Sequence, residues 1–150
     1  MTFTYLRTIR FQDTDAAGVT YFSNTLSICH EAYEQSLMDT GIELWQFFSH
    51  PDIAIPIVHA SVDYFRPTFC GMLQEVHLTP EKLTSDEFEI HYEIFNHDDP
   101  ERLVSKAVTR HVCINRISRQ RQLLPNPMLQ WLKTWSHNSS VIATPKDAHD

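Results

Sequence analysis

Two hydrophobic periods divide this chain. Between positions 22 and 37 the residues Phe22, Leu26, Cys29, Tyr33 and Leu37 recur at intervals of three and four, with Thr25, Ala32 and Ser36 on the same face. A period near 3.6 predicts one long amphipathic helix, ending at Thr40-Gly41, where glycine takes a left-handed cap without a side-chain clash. From Ile55 onward the period falls to two, the repeat of a strand with one buried face. "IPIVHASVDYFRP" sets Val58, Ala60, Val62 and Tyr64 against His59, Ser61, Asp63 and Phe65. "EFEIHYEIFN" sets Phe88, Ile90, Tyr92 and Ile94 against Glu87, Glu89, His91 and Glu93. "LQEVHLTPEKL" lies between these two, and "RLVSKAVTRHVCINR" follows a turn-rich connector, "HDDPE". "FTYLRTIRF", residues 3–11, reads as a first strand, and "ELWQFF" and "PMLQWLKTW" as short helices.

The predicted order is strand, long helix, then four strands joined by short connections. Short connections imply antiparallel neighbours, and the helix must cover one face of the sheet they form. No repeat or linker interrupts the pattern. Residues 1–135 therefore read as one α+β domain and residues 136–150 as a polar terminal tail.

Composition narrows the function classes. With 42% hydrophobic and 21% charged residues the chain is globular, and a net charge of −7 speaks against a general partner among nucleic acids or anionic membranes. Most Phe and Tyr residues are expected in the core. Cys29, Cys70 and Cys113 lack a C-x-x-C spacing and are expected as three buried thiols in a reducing compartment. The nine histidines repeat no metal-ligand spacing, so no metal site is expected. Neither an apolar leader segment nor a bilayer-length apolar run is present, which gives a cytoplasmic expectation.

The segment "RFQDTDAAGVTYF" carries more chemistry than a turn requires. An isolated aspartate before a helix is more often its cap. Here two carboxylates, Asp13 and Asp15, precede Gly18 and the aromatic pair Tyr21 and Phe22. Aromatic-x-D-x-D-x-x-G followed by an aromatic pair and a helix resembles the hot-dog thioesterases, most closely their 4-hydroxybenzoyl-CoA thioesterase branch. Within it, "CHEAYE", "PIVHASVDYF" and "HVCI" are similar to the 1,4-dihydroxy-2-naphthoyl-CoA hydrolases of phylloquinone biosynthesis. The resemblance covers roughly residues 3–117, with one departure: Gly71-Met72 stands where the family usually has Gly-Asp.

The resemblance implies a hot-dog fold, an antiparallel sheet wrapped around one long central helix. It implies a CoA-thioester substrate and hydrolysis with no cofactor. Asp15 would be the catalytic carboxylate, as nucleophile or general base, while Asp13 braces the loop. Gly18 would fold the loop back, and the Phe22 N–H would polarise the thioester carbonyl. Tyr21, His30, His59 and Arg66 are substrate-binding candidates; packing roles for the histidines and solvated roles for Arg66 and Arg110 compete with binding. A homodimer or homotetramer is implied, with the site between subunits. Other thioesterases, including a 4-hydroxybenzoyl-CoA enzyme, and a non-catalytic acyl-CoA-binding module are the alternative readings.

Overall fold

The computed structural model of the chain describes residues 2–136. The elements are β1 (Phe3–Thr8), α1 (Phe22–Asp39), α2 (Leu44–Phe48), β2 (Ile53–Ala54), β3 (Ile57–Tyr64), β4 (Leu73–Thr84), β5 (Glu87–Asn96), β6 (Asp99–Val112), β7 (Ile114–Asn115) and α3 (Asn126–Trp135). Five strands form one sheet in the order β1-β4-β5-β6-β3, and β2 pairs with β7 in a separate ribbon. All the pairings are antiparallel. The α+β expectation holds.

The long helix packs across the sheet as its period requires. Ile28, Cys29, Ala32, Tyr33 and Leu37 meet Val76, Leu78, Phe88, Ile90, Tyr92 and Ile94 in the core, which Met128 and Trp131 of α3 close from one end. Burying each large apolar side chain contributes roughly 1.5–3 kcal/mol. Ser36 sits inside this core without penalty, because its hydroxyl donates to the Tyr33 carbonyl and accepts the Trp131 indole N–H at 2.9 Å. Gly41, at φ 89°, follows the helix end as expected.

Several expectations are corrected. β3 and β4 are joined by a short connection yet are not neighbours, since β3 pairs with β6 instead. The connection, residues 65–72, crosses the end of the sheet, and its backbone is satisfied along the way. Phe65 and Arg66 N–H donate to the Val104 carbonyl, Gly71 N–H donates to the Ile9 carbonyl, and the Thr68 carbonyl accepts from Thr20. Gly71 takes φ 95° there, so glycine fixes the turn whatever follows it.

The first strand stops at Thr8 rather than residue 11, because Asp13 draws the chain into a 3₁₀ turn by accepting the Arg10 N–H at 2.7 Å. β6 begins at Asp99, inside the expected connector. Cys70 is exposed on the crossing connection, unlike the buried Cys29 and Cys113. The aromatics also divide. Phe3, Tyr33, Phe88 and Tyr92 are buried, but Phe11, Tyr21, Phe22, Tyr64, Phe65 and Phe69 are exposed around the start of α1 and the β3 edge. Residues 137–150, nearly all of the expected tail, lie outside the described residues.

Candidate active site

The loop between β1 and α1 is anchored from three sides through Asp13. Arg7 on β1 pairs with the Asp13 carboxylate, and its Nε donates to Glu31 Oε1 of α1 at 3.1 Å. Tyr5 donates to the same Glu31 oxygen at 2.8 Å. The Asp13 carbonyl accepts the Tyr21 N–H at 2.8 Å and the Asn24 amide at 2.9 Å. Burial alone would raise the Asp13 pKa, but the Arg7 guanidinium and the Arg10 N–H hold it below the usual carboxylate range. Asp13 is thus the brace of the loop.

Asp15 is held differently. Its Oδ1 accepts the N–H groups of Ala17 at 2.9 Å and Val19 at 3.4 Å, while its own backbone exchanges bonds with Val19 and Gly18. Gly18 adopts φ 82°, a left-handed conformation that costs an L side chain about 1–2 kcal/mol. Oδ2 accepts nothing from, and no cation pairs with the carboxylate among, the described residues. Asp15 is not the cap of α1; that position belongs to Tyr21, which makes no side-chain capping bond. The uncapped start leaves the Phe22 N–H without an acceptor among the described residues, at the positive end of an 18-residue helix. A half-buried carboxylate with one unengaged oxygen and a helix-end N–H donor are therefore joined by one short loop.

Beside this loop is a cleft of ≈ 300 Å³. Thr20, Thr25 and Thr68 line it, with Tyr64 and Arg66 at the rim and Gln74 in the floor. Tyr64 donates to the Phe22 carbonyl at 2.5 Å, tying the end of β3 to the first turn of α1. Arg66 is solvent-exposed, and Arg110 is committed to Glu89 at 2.9 Å. Tyr21 packs against Phe22 with ring centroids 4.8 Å apart, both rings exposed.

The two histidine candidates do not share a slot within one chain. His30, on α1, bonds to Glu34 at 2.7 Å and sets its ring edge-on to Tyr33. His59 is paired in register with Arg110, and alternation from the core-packed Val62 turns it to the opposite face of the sheet from α1. Period two alone assigns faces without saying which of them the helix covers. Among the described residues one group of metal-ligand type comes together, Glu81, Glu89 and His91, on that same helix-free face and remote from Asp15. Glu89 is already engaged by Arg110.

Sequence reasoning missed Tyr64 and Gln74. In the sequence Tyr64 reads only as one member of an alternating strand. Gln74 offered a legible signal, a polar residue on the face that continues through Val76 and Leu78.

Comparison with known proteins places this geometry. The thioesterase-like superfamily model matches residues 9–132. A 1,4-dihydroxy-2-naphthoyl-CoA hydrolase of Acaryochloris marina (strain MBIC 11017) is 53% identical over 132 residues, covering 88% of this chain and 96% of the relative. The hydrolase of the same name from Gloeothece citriformis (strain PCC 7424) is 56% identical over 128 residues, covering 85% and 90%. The crystal structure of a 1,4-dihydroxy-2-naphthoyl-CoA thioesterase from Synechocystis superposes with a TM-score of 0.84 at 40% identity, covering 88% of this chain and 96% of that one. With its family model spanning the loop, four of the sheet's five strands and all but the last turn of α3, the chain belongs to the thioesterase-like superfamily and has the hot-dog fold.

Proposed function

We propose that this protein hydrolyses 1,4-dihydroxy-2-naphthoyl-CoA to 1,4-dihydroxy-2-naphthoate and CoA. The observation that carries the reading is the pairing of Asp15 with the free helix start at Phe22, in a chain 53% identical to a hydrolase of that name. In this mechanism the thioester carbonyl oxygen accepts the Phe22 N–H, which stabilises the oxyanion as the carbonyl carbon is attacked. One such donor is worth about 3–4 kcal/mol of barrier. Asp15 Oδ2 attacks directly, giving a mixed anhydride that water then opens, or takes a proton from the attacking water. CoA leaves as a thiolate, a good leaving group near neutral pH, so no strong general acid is required. Gly18 sets the loop's reversal, and Tyr21 shields one side of the helix start.

Assembly belongs to the same proposal. β3 is an edge strand, nearly all of it exposed, with Ile57, Val58 and Tyr64 open to solvent. An uncovered apolar edge invites pairing with a second copy, so a homodimer with one continuous sheet, able to pair again into a tetramer, is proposed with the site at its interface. Arg66, exposed at the rim, is then placed for a CoA phosphate, and His30 for a contact with substrate across the interface; His59, on the outer face, would serve only a site completed by another copy. Residues 1–135 are read as the thioesterase domain. Among the described residues no helix is long and apolar enough to cross a membrane, which supports the proposed cytoplasmic setting.

The test is free-thiol release from purified protein across a panel of CoA thioesters. The 1,4-dihydroxy-2-naphthoyl ester should give the highest kcat/KM. Equal rates on palmitoyl-CoA would reduce the reading to a thioesterase of broad range, and no release from any ester would favour the non-catalytic module.

A further inference from the structure

The floor of the cleft beside the Asp15 loop holds a polar group that this mechanism leaves unused. Gln74 is only 4% exposed and lies on the α1-facing side of β4, where the next inward residues are Val76, Leu78 and Pro80. Its Oε1 is shut off from solvent and accepts no hydrogen bond. An amide oxygen buried without a donor is costly, so a polar residue at such a position needs something to pair with it. A carboxamide offers both an acceptor and donors, whichever way round it is turned.

The surroundings select the chemistry of the partner. Ser105 and Thr68, both buried, share the floor, while Tyr64, Phe65 and Arg66 form the exposed rim. No carboxylate lines the cleft, and its one cation is at the mouth, so the floor suits a neutral hydroxyl rather than a charged group. A volume of ≈ 300 Å³ is at the low end for small-molecule sites, room for a ring system but not for a ring and a whole CoA. The CoA half of a thioester must leave through the rim to solvent. The half that reaches the floor is the acyl group.

Resting on the reading of the chain as an aryl-CoA thioesterase, we propose that Gln74, with Ser105 on the same cleft floor, is a specificity residue that hydrogen-bonds a hydroxyl on the acyl ring. A site built around such a bond disfavours the analogue that lacks the hydroxyl, because the buried amide is then left unpaired.

The experiment compares kcat/KM on 1,4-dihydroxy-2-naphthoyl-CoA and on 2-naphthoyl-CoA in wild type, Gln74→Met and Ser105→Ala. Methionine keeps the length and loses the hydrogen bond. The wild type should prefer the hydroxylated ester, and Gln74→Met should shrink that ratio by about tenfold or more. Ser105→Ala should shrink it less, and it decides the matter if Gln74→Met does not fold. An absent preference in wild type, or a ratio unchanged in the folded variants, overturns the proposal and leaves Gln74 as the host of a buried water. If the wild type hydrolyses neither ester, the thioesterase reading falls by itself. Calorimetric binding of 1,4-dihydroxy-2-naphthoate against 2-naphthoate then tests Gln74 separately: a preference lost in Gln74→Met supports it, and no preference overturns it.

Discussion

Asp13 and Asp15 stand two residues apart and are held by opposite means. Asp13 is buried against Arg7 and gives up both its carboxylate and its carbonyl to the loop and helix. Asp15 uses only Oδ1 for the turn, bonds that an asparagine oxygen can also accept. Asp15→Asn should therefore fold with an unchanged melting temperature while turnover falls at least a thousandfold, since an amide is neither a useful base nor a nucleophile at neutral pH. Near-normal thiol release by that variant would remove Asp15 from the chemistry. Asp13→Asn should show the reverse balance, with part of the activity kept and stability reduced by about 1–3 kcal/mol, because the partly buried Arg7 loses one of its two charged partners and keeps only Glu31. The sign of its pH dependence follows from the lowered pKa. Asp13 contributes stability above the carboxylate's unfolded pKa, and that contribution is lost as pH falls through the lower folded value.

At the level of the element, β6 carries a histidine deep in the core. His111 stacks on Phe88 with ring centroids 4.7 Å apart and planes at 10°, and its Nε2 shares a hydrogen bond with the Thr109 hydroxyl at 2.8 Å. Burial, with a smaller push from His30, lowers its pKa to about 3. In the unfolded chain the same imidazole protonates near 6.5, so folding stability is full above that value and declines as pH falls from there toward 3. Between pH 7 and pH 5 the loss should be about 2 kcal/mol. Urea midpoints at the two pH values measure it, and His111→Phe, which keeps the stack, should flatten the difference. An equal slope in that variant would assign the acid sensitivity to other groups. The middle of the strand borders the cleft, since the Val104 carbonyl holds the crossing connection and Ser105 lines the cleft.

For the whole molecule, the exposed aromatics and the β3 edge form one region around the start of α1, and a second copy is the proposed cover. Light scattering should give about 35 kDa or a multiple of it, against 17.5 kDa for one chain. Ala60, exposed on the helix side of β3, tests the interface. Ala60→Asp should shift the protein toward the single-chain mass and lower turnover together with it, because like charges brought together across a strand pair are destabilising. A fully active single chain would show that the cleft is complete without a partner.

The local part of this molecule is legible in the order of its residues. The helix over 22–39, its glycine stop, the alternating strands and the D-x-D-x-x-G loop follow from side-chain spacing and from backbone preference, both of which act over a few residues. The same locality explains the loop, since Asp13, Asp15 and Gly18 make many of their defining bonds within seven residues of themselves. Short turns already imply that β4 pairs with β5 and β5 with β6, but the neighbours of β1 and β3 come from the tertiary structure. β3 joins β6 across more than forty residues, and nothing in the short connection to β4 announces that it crosses the sheet's end. It also decided the faces. Alternation separates His59 from Val62, but only the packed helix makes one side the inside, and so removes His59 from His30. Gln74 and Ser105 meet in the cleft for the same reason: they are far apart along the chain, and the sheet order that places them together is a property of the whole fold.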